Sequence, residues 1–143
     1  DALGAGRVVL VSTNSLTREG GLAAKVEAAL GARCKEVVTG IGAHSPRGDV
    51  LRIMAALKKH DADAVVGFGG GSVCDAVKVA TQGLTSGVTK AEDFDALRVP
   101  NKGAAPELPY LMIPTTLSAG EFTFFAGVTD ERGPRKELYV HPE

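Results

Sequence analysis

Short apolar runs alternate with amphipathic stretches along this chain. Val8-Val9-Leu10-Val11 is an unbroken apolar run, the pattern of a strand buried on both faces. A polar turn follows over 12–15. Leu22, Val26, Ala29 and Leu30 then fall at i, i+4, i+7 and i+8, one face of a helix, and Gly31 stands where a helix C-cap belongs. The cycle repeats. Glu36-Val37-Val38 reads as a short strand and 40–48 as a loop. Ser45-Pro46 reads as a helix start, because proline is tolerated in the first turn. Val50, Ile53, Met54 and Leu57 supply the next helical stripe. Ala64-Val65-Val66-Gly67-Phe68 is a third strand. It runs into a glycine cluster and a third helix, whose buried face is Val73, Ala76, Val77 and Ala80. Strand and helix in alternation predict βαβ units on a parallel sheet.

The second half is less regular. A short helix is expected around 91–97, followed by a loop over 101–109 punctuated by Pro and Gly. Tyr110-Leu111-Met112-Ile113 reads as a fourth buried strand stopped by Pro114. A fifth strand is expected over 122–128, with Thr129-Asp130-Glu131-Arg132-Gly133 as a turn and 137–140 as its hairpin partner.

Composition narrows the classes. The 143 residues suit one domain, and 44% hydrophobic with 23% charged residues is an ordinary globular mix. The net charge of −1 lacks the cationic excess of a nucleic-acid-binding face. No apolar run approaches the roughly 20 residues of a membrane helix, and no signal peptide opens the chain. Cys34 and Cys74 make neither a disulfide framework nor a zinc spacing. The expectation is a cytoplasmic protein that engages neither nucleic acid nor membrane. Its first residue is Asp1 rather than Met, which suggests a processed chain or a piece of a longer one.

The most informative stretch is Gly69-Gly70-Gly71-Ser72-Val73-Cys74-Asp75-Ala76-Val77-Lys78, between a strand and a helix. Ser72 is placed to act as N-cap, with Asp75 three residues on as a capping-box partner. Three glycines remove every Cβ from the turn. A phosphate can then approach the backbone, where the N–H groups of the helix start and the helix dipole favour an anion. The same turn also serves as a plain strand-to-helix connection that binds nothing. It matches neither the dinucleotide fingerprint G-x-G-x-x-G, because position 72 is Ser, nor the Gly-Lys-Ser/Thr ending of a nucleoside-triphosphate loop. A second polar group follows the fourth strand: Pro114-Thr115-Thr116-Leu117-Ser118-Ala119-Gly120-Glu121. Its hydroxyls can serve a ligand or simply close a turn. Both stretches fall at strand carboxyl ends, where open parallel sheets bind ligands, and that coincidence points to one shared cofactor site.

Together these residues resemble the iron-containing (group III) alcohol dehydrogenases, a family that includes the maleylacetate reductases. The resemblance rests on Gly69-Gly70-Gly71-Ser72-x-x-Asp75-x-x-Lys78, Pro114-Thr115-Thr116, and Val128-Thr129-Asp130 with a downstream Lys136, and it runs from about Arg7 to Glu143. It implies an α/β, Rossmann-like, doubly wound and mainly parallel fold, like the N-terminal domain of dehydroquinate synthase. It implies that 1–143 is the NAD(P)-binding domain of an oxidoreductase, moving hydride between a nicotinamide cofactor and an alcohol, a carbonyl or a maleylacetate-like oxo acid. It places Gly69, Gly70, Gly71 and Ser72 on the pyrophosphate. Thr115, Thr116 and Ser118 fall near the adenine side and the diphosphate, Lys136 at the nicotinamide ribose, and Asp75 in support of the site. The family's helical second domain, which carries an Asp and several His as ligands for a divalent metal (Fe or Zn), is absent from this chain. No catalytic residue and no metal ligand is therefore assigned here. A homodimer is a further possibility the resemblance leaves open.

This chain departs from the family pattern in two places. Where many members carry an Asp that binds the adenosine ribose, this chain has Thr39 within Val38-Thr39-Gly40. A 2′-phosphate is then no longer repelled, so NADP is expected to be tolerated beside NAD, with Arg47 as the candidate phosphate partner. The threonine loop is also one residue shorter before Glu121, as in members similar to maleylacetate reductase. Two other readings remain open: a domain of the dehydroquinate synthase or glycerol dehydrogenase type, and a nucleotide-binding fragment with no catalysis. His44, His60 and His141 have no ligand spacing; His60 is expected to be a solvated last-turn residue. Cys74 is expected to be a small buried hydrophobe, and 132–135 a solvated turn.

Overall fold

The computed structural model describes residues 4–133 and 135–141; the chain ends Asp1, Pro142 and Glu143 lie outside them. Four strands make one parallel sheet: β1 (Val8–Ser12), β2 (Cys34–Val38), β3 (Ala64–Gly69) and β4 (Tyr110–Pro114), in the order β2-β1-β3-β4. Every residue of β1 and β3 is buried, which is why those runs are continuously apolar rather than alternating. Strand β4, expected to be buried as well, is instead a partly exposed edge strand with Leu111 51% exposed, because no further described strand covers it. Alternate residues divide between two cores. Val9, Val11 and Val65 face α3 (Arg47–Lys59) and α4 (Gly71–Thr85). Val8, Leu10, Val66 and Phe68 face α2 (Ala23–Leu30), beyond the short α1 (Asn14–Thr17). Helices on both faces of a parallel sheet give the expected doubly wound arrangement.

Three local expectations shift. In α2 the packed stripe is Ala23, Val26 and Leu30, whereas Leu22 stands exposed as N-cap. Helix α4 starts two residues earlier than expected. Gly70 takes the extended N-cap conformation (φ −83°, ψ −168°) with no side-chain cap. Ser72 is therefore inside the first turn and Asp75 in the second, and no capping box forms. The third shift concerns the antiparallel hairpin, β5 (Phe125–Asp130) and β6 (Arg135–Val140). Thr129 and Asp130 belong to its strand and not to its turn. Thr129 is held extended because its N–H donates to Ser45 O (3.1 Å) and its hydroxyl to His44 O (2.9 Å).

The hairpin is fastened to α3 by a buried arginine. Arg47 has no solvent exposure. Its guanidinium donates to Glu137 (2.6 Å), Asp95 (2.7 Å), the Tyr139 hydroxyl (3.1 Å) and Ala91 O (2.7 Å), and Asp130 lies at 3.6 Å. The carboxylate of Glu131 accepts the first N–H groups of α3, from Arg47 (3.1 Å) and Gly48 (3.0 Å). This supplies from the distant hairpin turn the cap that α3 lacks locally. Arg98 closes on Glu137 (2.6 Å). Arg132, expected in a solvated turn, instead bridges Asp130 (2.6 Å) and Asp95 (2.8 Å), because the carboxylates around Arg47 exceed its charge.

Replacing Arg47 by Met should destabilise the fold by about 3–5 kcal/mol, since it strands buried carboxylates without their cation; urea unfolding measures this. The hydrogen bonds from Arg132, with Arg47 adding to them, hold Asp95 and Asp130 below the usual carboxylate range. As pH falls through about 4, the unfolded chain takes up protons that the folded chain refuses. Stability should therefore be full above about pH 5 and decline below it. The decline should be shallower in Arg132→Gln, read from unfolding midpoints across pH.

Candidate functional site

Because the strands are parallel, the loops after β1, β2, β3 and β4 all leave the same edge of the sheet. The glycine turn after β3 and the threonine loop after β4 touch there. Thr115 N–H donates to Gly69 O (3.0 Å). A Cβ on Gly70 would stand 3.0 Å from Thr116 Oγ1 and Cγ2, and one on Gly71 would stand 3.1 Å from Ser118 Oγ. A Cβ on Gly69 would overlap Val73. The three glycines thus admit the close approach of the second loop as well as of any ligand. Helix α4 is 15 residues long, and its first-turn N–H groups and positive dipole end face this edge. The structure brings together Gly69, Gly70, Gly71, Ser72, Thr115, Thr116 and Ser118.

Ser72 is gripped from the other side by the loop after β2. His44 N–H donates to Ser72 Oγ (3.1 Å), and the Ser45 hydroxyl donates to Ser72 O (2.7 Å). Since Ser72 Oγ is already an acceptor, its own proton can be donated outward. His44 and Ser45 have φ of 62° and 52°, a left-handed conformation uncommon outside glycine. Sequence reasoning missed both residues, because nothing in residue type announces a non-glycine left-handed pair.

Lys136 reaches Asp75 at 3.4 Å. Its side chain lies flat across Gly127, where a Cβ would overlap Lys136 Cε. Three residues after Asp75, the ammonium of the fully buried Lys78 donates to Gly120 O (2.6 Å) and Thr123 O. The Asp-x-x-Lys extension therefore braces two neighbours of the turn: the hairpin lysine through Asp75 and the end of the threonine loop through Lys78. That loop walls a cavity of about 460 Å³ with Thr115, Thr116, Glu121 and Phe122 on its lining, and Glu121 Oε2 is buried without a hydrogen-bond partner.

Thr39 stands apart, at the end of β2 two strands away on the same edge. Its carbonyl accepts from Arg52 Nη1 (3.0 Å). Arg47, the expected phosphate partner, is corrected: its charge is wholly enclosed by the hairpin carboxylates and reaches no ligand on this edge.

His60 is corrected as well: it pairs with Glu36 at 2.7 Å and is largely covered. His141 is buried edge-on against Tyr110, and burial pushes it down to about 4. Cys74 is buried, and that burial raises its thiol pKa, so it is the inert hydrophobe expected. Among the described residues, Asp95, Asp130 and Glu137 could gather round a metal ion. Arg47, Arg98 and Arg132 already occupy these carboxylates, so the group does not fit one. No described helix is long and apolar enough to cross a membrane.

Residues 1–143 match the family model described as iron-containing alcohol dehydrogenase. The chain is 33% identical over 140 residues to the dehydrogenase ALT3 of Alternaria alternata, covering 94% of this chain and 36% of that protein. Its fold superposes on sulfoacetaldehyde reductase from Bifidobacterium kashiwanohense, solved in complex with NAD+, with a TM-score of 0.81 at 23% identity over 98% of this chain and 36% of the other. It also superposes on maleylacetate reductase from Rhizobium sp. strain MTP-10005, with a TM-score of 0.70 at 26% identity over 99% and 33%. The chain thus spans about a third of the length of these relatives.

Replacing Ser72 by Ala removes the acceptor for His44 N–H. We expect a stability loss of about 1 kcal/mol and faster hydrogen exchange at the His44 amide. Unchanged exchange would mean that the loop after β2 is held without Ser72.

Proposed function

The chain belongs to the iron-containing alcohol dehydrogenase family, and from that premise we propose that residues 1–143 are the nicotinamide-dinucleotide-binding domain of an oxidoreductase. The observation that carries this reading is the turn at Gly69–Gly71. It has no Cβ, opens a long helix at a strand carboxyl end, and has the hydroxyls of Thr116 and Ser118 against it. That is the arrangement a pyrophosphate requires: N–H donors, a favourable dipole and room to approach.

In this reading the N–H groups of 69–72 and the Ser72 hydroxyl hold the pyrophosphate. Thr115, Thr116 and Ser118 flank the diphosphate and adenine side, and Thr39 meets the adenosine ribose. Lys136, steadied by Asp75, meets the nicotinamide ribose. When bound, the nicotinamide supplies the hydride acceptor or donor. This chain's part is to bind and orient it. We assign the substrate class as an alcohol and its carbonyl, or an oxo acid of the maleylacetate type, with the short threonine loop favouring the acid. A divalent metal, Fe or Zn, would polarise that substrate from residues outside this chain, consistent with carboxylates that do not fit a metal here. The free cysteines Cys34 and Cys74 suit a reducing cytoplasm.

Calorimetry of the 143-residue chain with NADH and NADPH tests the reading. Binding heat is expected with at least one of them, and silence from both at about 1 mM sinks the proposal. Gly70→Asp should abolish binding, because it sets a side chain against Thr116 and a negative charge against the pyrophosphate; retained affinity would remove the phosphate role from this turn.

A further inference from the structure

We propose that the outer face of the β5–β6 hairpin, with the loop that leads into it, is a docking surface for a second copy of this chain, giving a two-fold symmetric dimer. The inference stands apart from the dinucleotide reading. It rests on apolar surface that the fold leaves uncovered.

An antiparallel hairpin with one face packed normally turns polar side chains outward on the other. Here Ala126, Val128 and Tyr139 fill the core. The register sets Phe125 opposite Val140, Gly127 opposite Leu138 and Thr129 opposite Lys136, so these six positions share the other face. Toward the turn that face is polar. At the open end it is Phe125, Leu138 and Val140, with Phe125 40% and Leu138 52% exposed. The entering loop enlarges the patch. Phe124, 52% exposed, stacks on Phe125 with ring centroids 4.3 Å apart, and Phe122 is 82% exposed. Phe122 shares the wall of the threonine-loop cavity with Leu117, whose side chain is fully exposed. Three of the chain's five phenylalanines therefore stand on the surface within 122–125, while Phe68 and Phe94 are buried.

The side chains of Leu117, Phe122, Phe124, Phe125 and Leu138 together turn roughly 600 Å² of apolar surface outward, at the top of the range that a monomer leaves open. A standard interface covers about 800 Å² per partner, so this patch with a polar rim is large enough to hold a dimer. An apolar patch is complementary to its own copy, because it asks for no opposite charge, and a patch that meets itself closes at two copies. The charge among the outward hairpin positions is Lys136, and it is drawn aside to Asp75 (3.4 Å). A net charge of −1 sets little repulsion between copies.

Sedimentation velocity of the 143-residue chain from about 1 to 100 µM spans the range in which an interface of this size associates. The sedimentation coefficient should rise with concentration from monomer to dimer and stop there. Phe122→Asp and Leu138→Lys place charges on exposed positions of the face. Each should weaken the dimer by about tenfold or more, with the urea unfolding midpoint unchanged. Leu111→Ser is the control: alternation puts Leu111 with Ile113 on the α2 side of the sheet, away from the hairpin, and the dimer should survive it. Hydrogen exchange at the amides of 122–125 should slow as concentration rises. A lone monomer at the highest concentration would overturn the inference and leave the face to a different polypeptide. A dimer that survives both charged variants, or that Leu111→Ser dissolves, would overturn it as well. So would association that runs past two copies, or slowed exchange confined to other parts of the chain.

Discussion

Arg47 carries a full charge in the interior, and that fact orders much of the molecule. A buried guanidinium must be surrounded by acceptors or it costs several kcal/mol, so Asp95, Asp130 and Glu137 are drawn round it. Those residues come from the 91–96 turn and from both strands of the hairpin. Once the hairpin is fixed against α3, Thr129 holds the carbonyls of His44 and the neighbouring Ser45. His44 and Ser45 in turn hold Ser72. An ion cluster with no access to ligand thereby sets the position of the first turn of α4. The opposite strand of the same hairpin carries Lys136 to Asp75, so both sides of the candidate site hang from one anchorage. The net stability such a cluster adds is small once desolvation is counted; what it contributes is a single geometry.

Legibility in the sequence follows from how local each cause is. Strands β1 and β3 are readable because burial on both faces leaves an apolar run that depends on nothing distant. The glycine turn is readable because three successive residues without a side chain leave a bare backbone, whatever packs around it. The start of α4 is not, because both Gly70 and Ser72 can cap, and the loop from 44 to 46 decides between them by taking Ser72 for itself. The fifth strand reads too early in the chain, over 122–128 rather than Phe125–Asp130, for a similar reason: Thr129 and Asp130 look like turn residues until the α3 loop and Arg47 hold them extended. Residue type alone cannot tell that Glu131 caps a helix 83 residues away in sequence.

The Asp-x-x-Lys extension shows what a motif match can and cannot establish. Asp75 and Lys78 help to identify the family, yet neither is turned first toward a ligand. One steadies Lys136, and the other is buried beneath the carbonyls of Gly120 and Thr123. Their value to a site is indirect: the loops they hold must stay within van der Waals reach of Gly70 and Gly71, or the cradle loses its wall. The same holds for Gly127, whose missing side chain lets the lysine cross the hairpin.

The two arginines of α3 make the role of burial plainest. Positions 47 and 52 lie five residues apart, so on an α-helix they point about 140° away from each other. Arg47 is turned into the ion cluster and Arg52 back over the end of β2. In sequence both are cations near Thr39, and Arg47 lies nearer the loop. Only packing separates them. The one that could serve a ligand is the one whose partners, Asp49 and two backbone carbonyls, restrain it without enclosing it. A charge that recognises an anion must be fixed enough to be specific and open enough to be reached; Arg47 is fixed but enclosed, whereas Arg52 is held by its partners and half exposed.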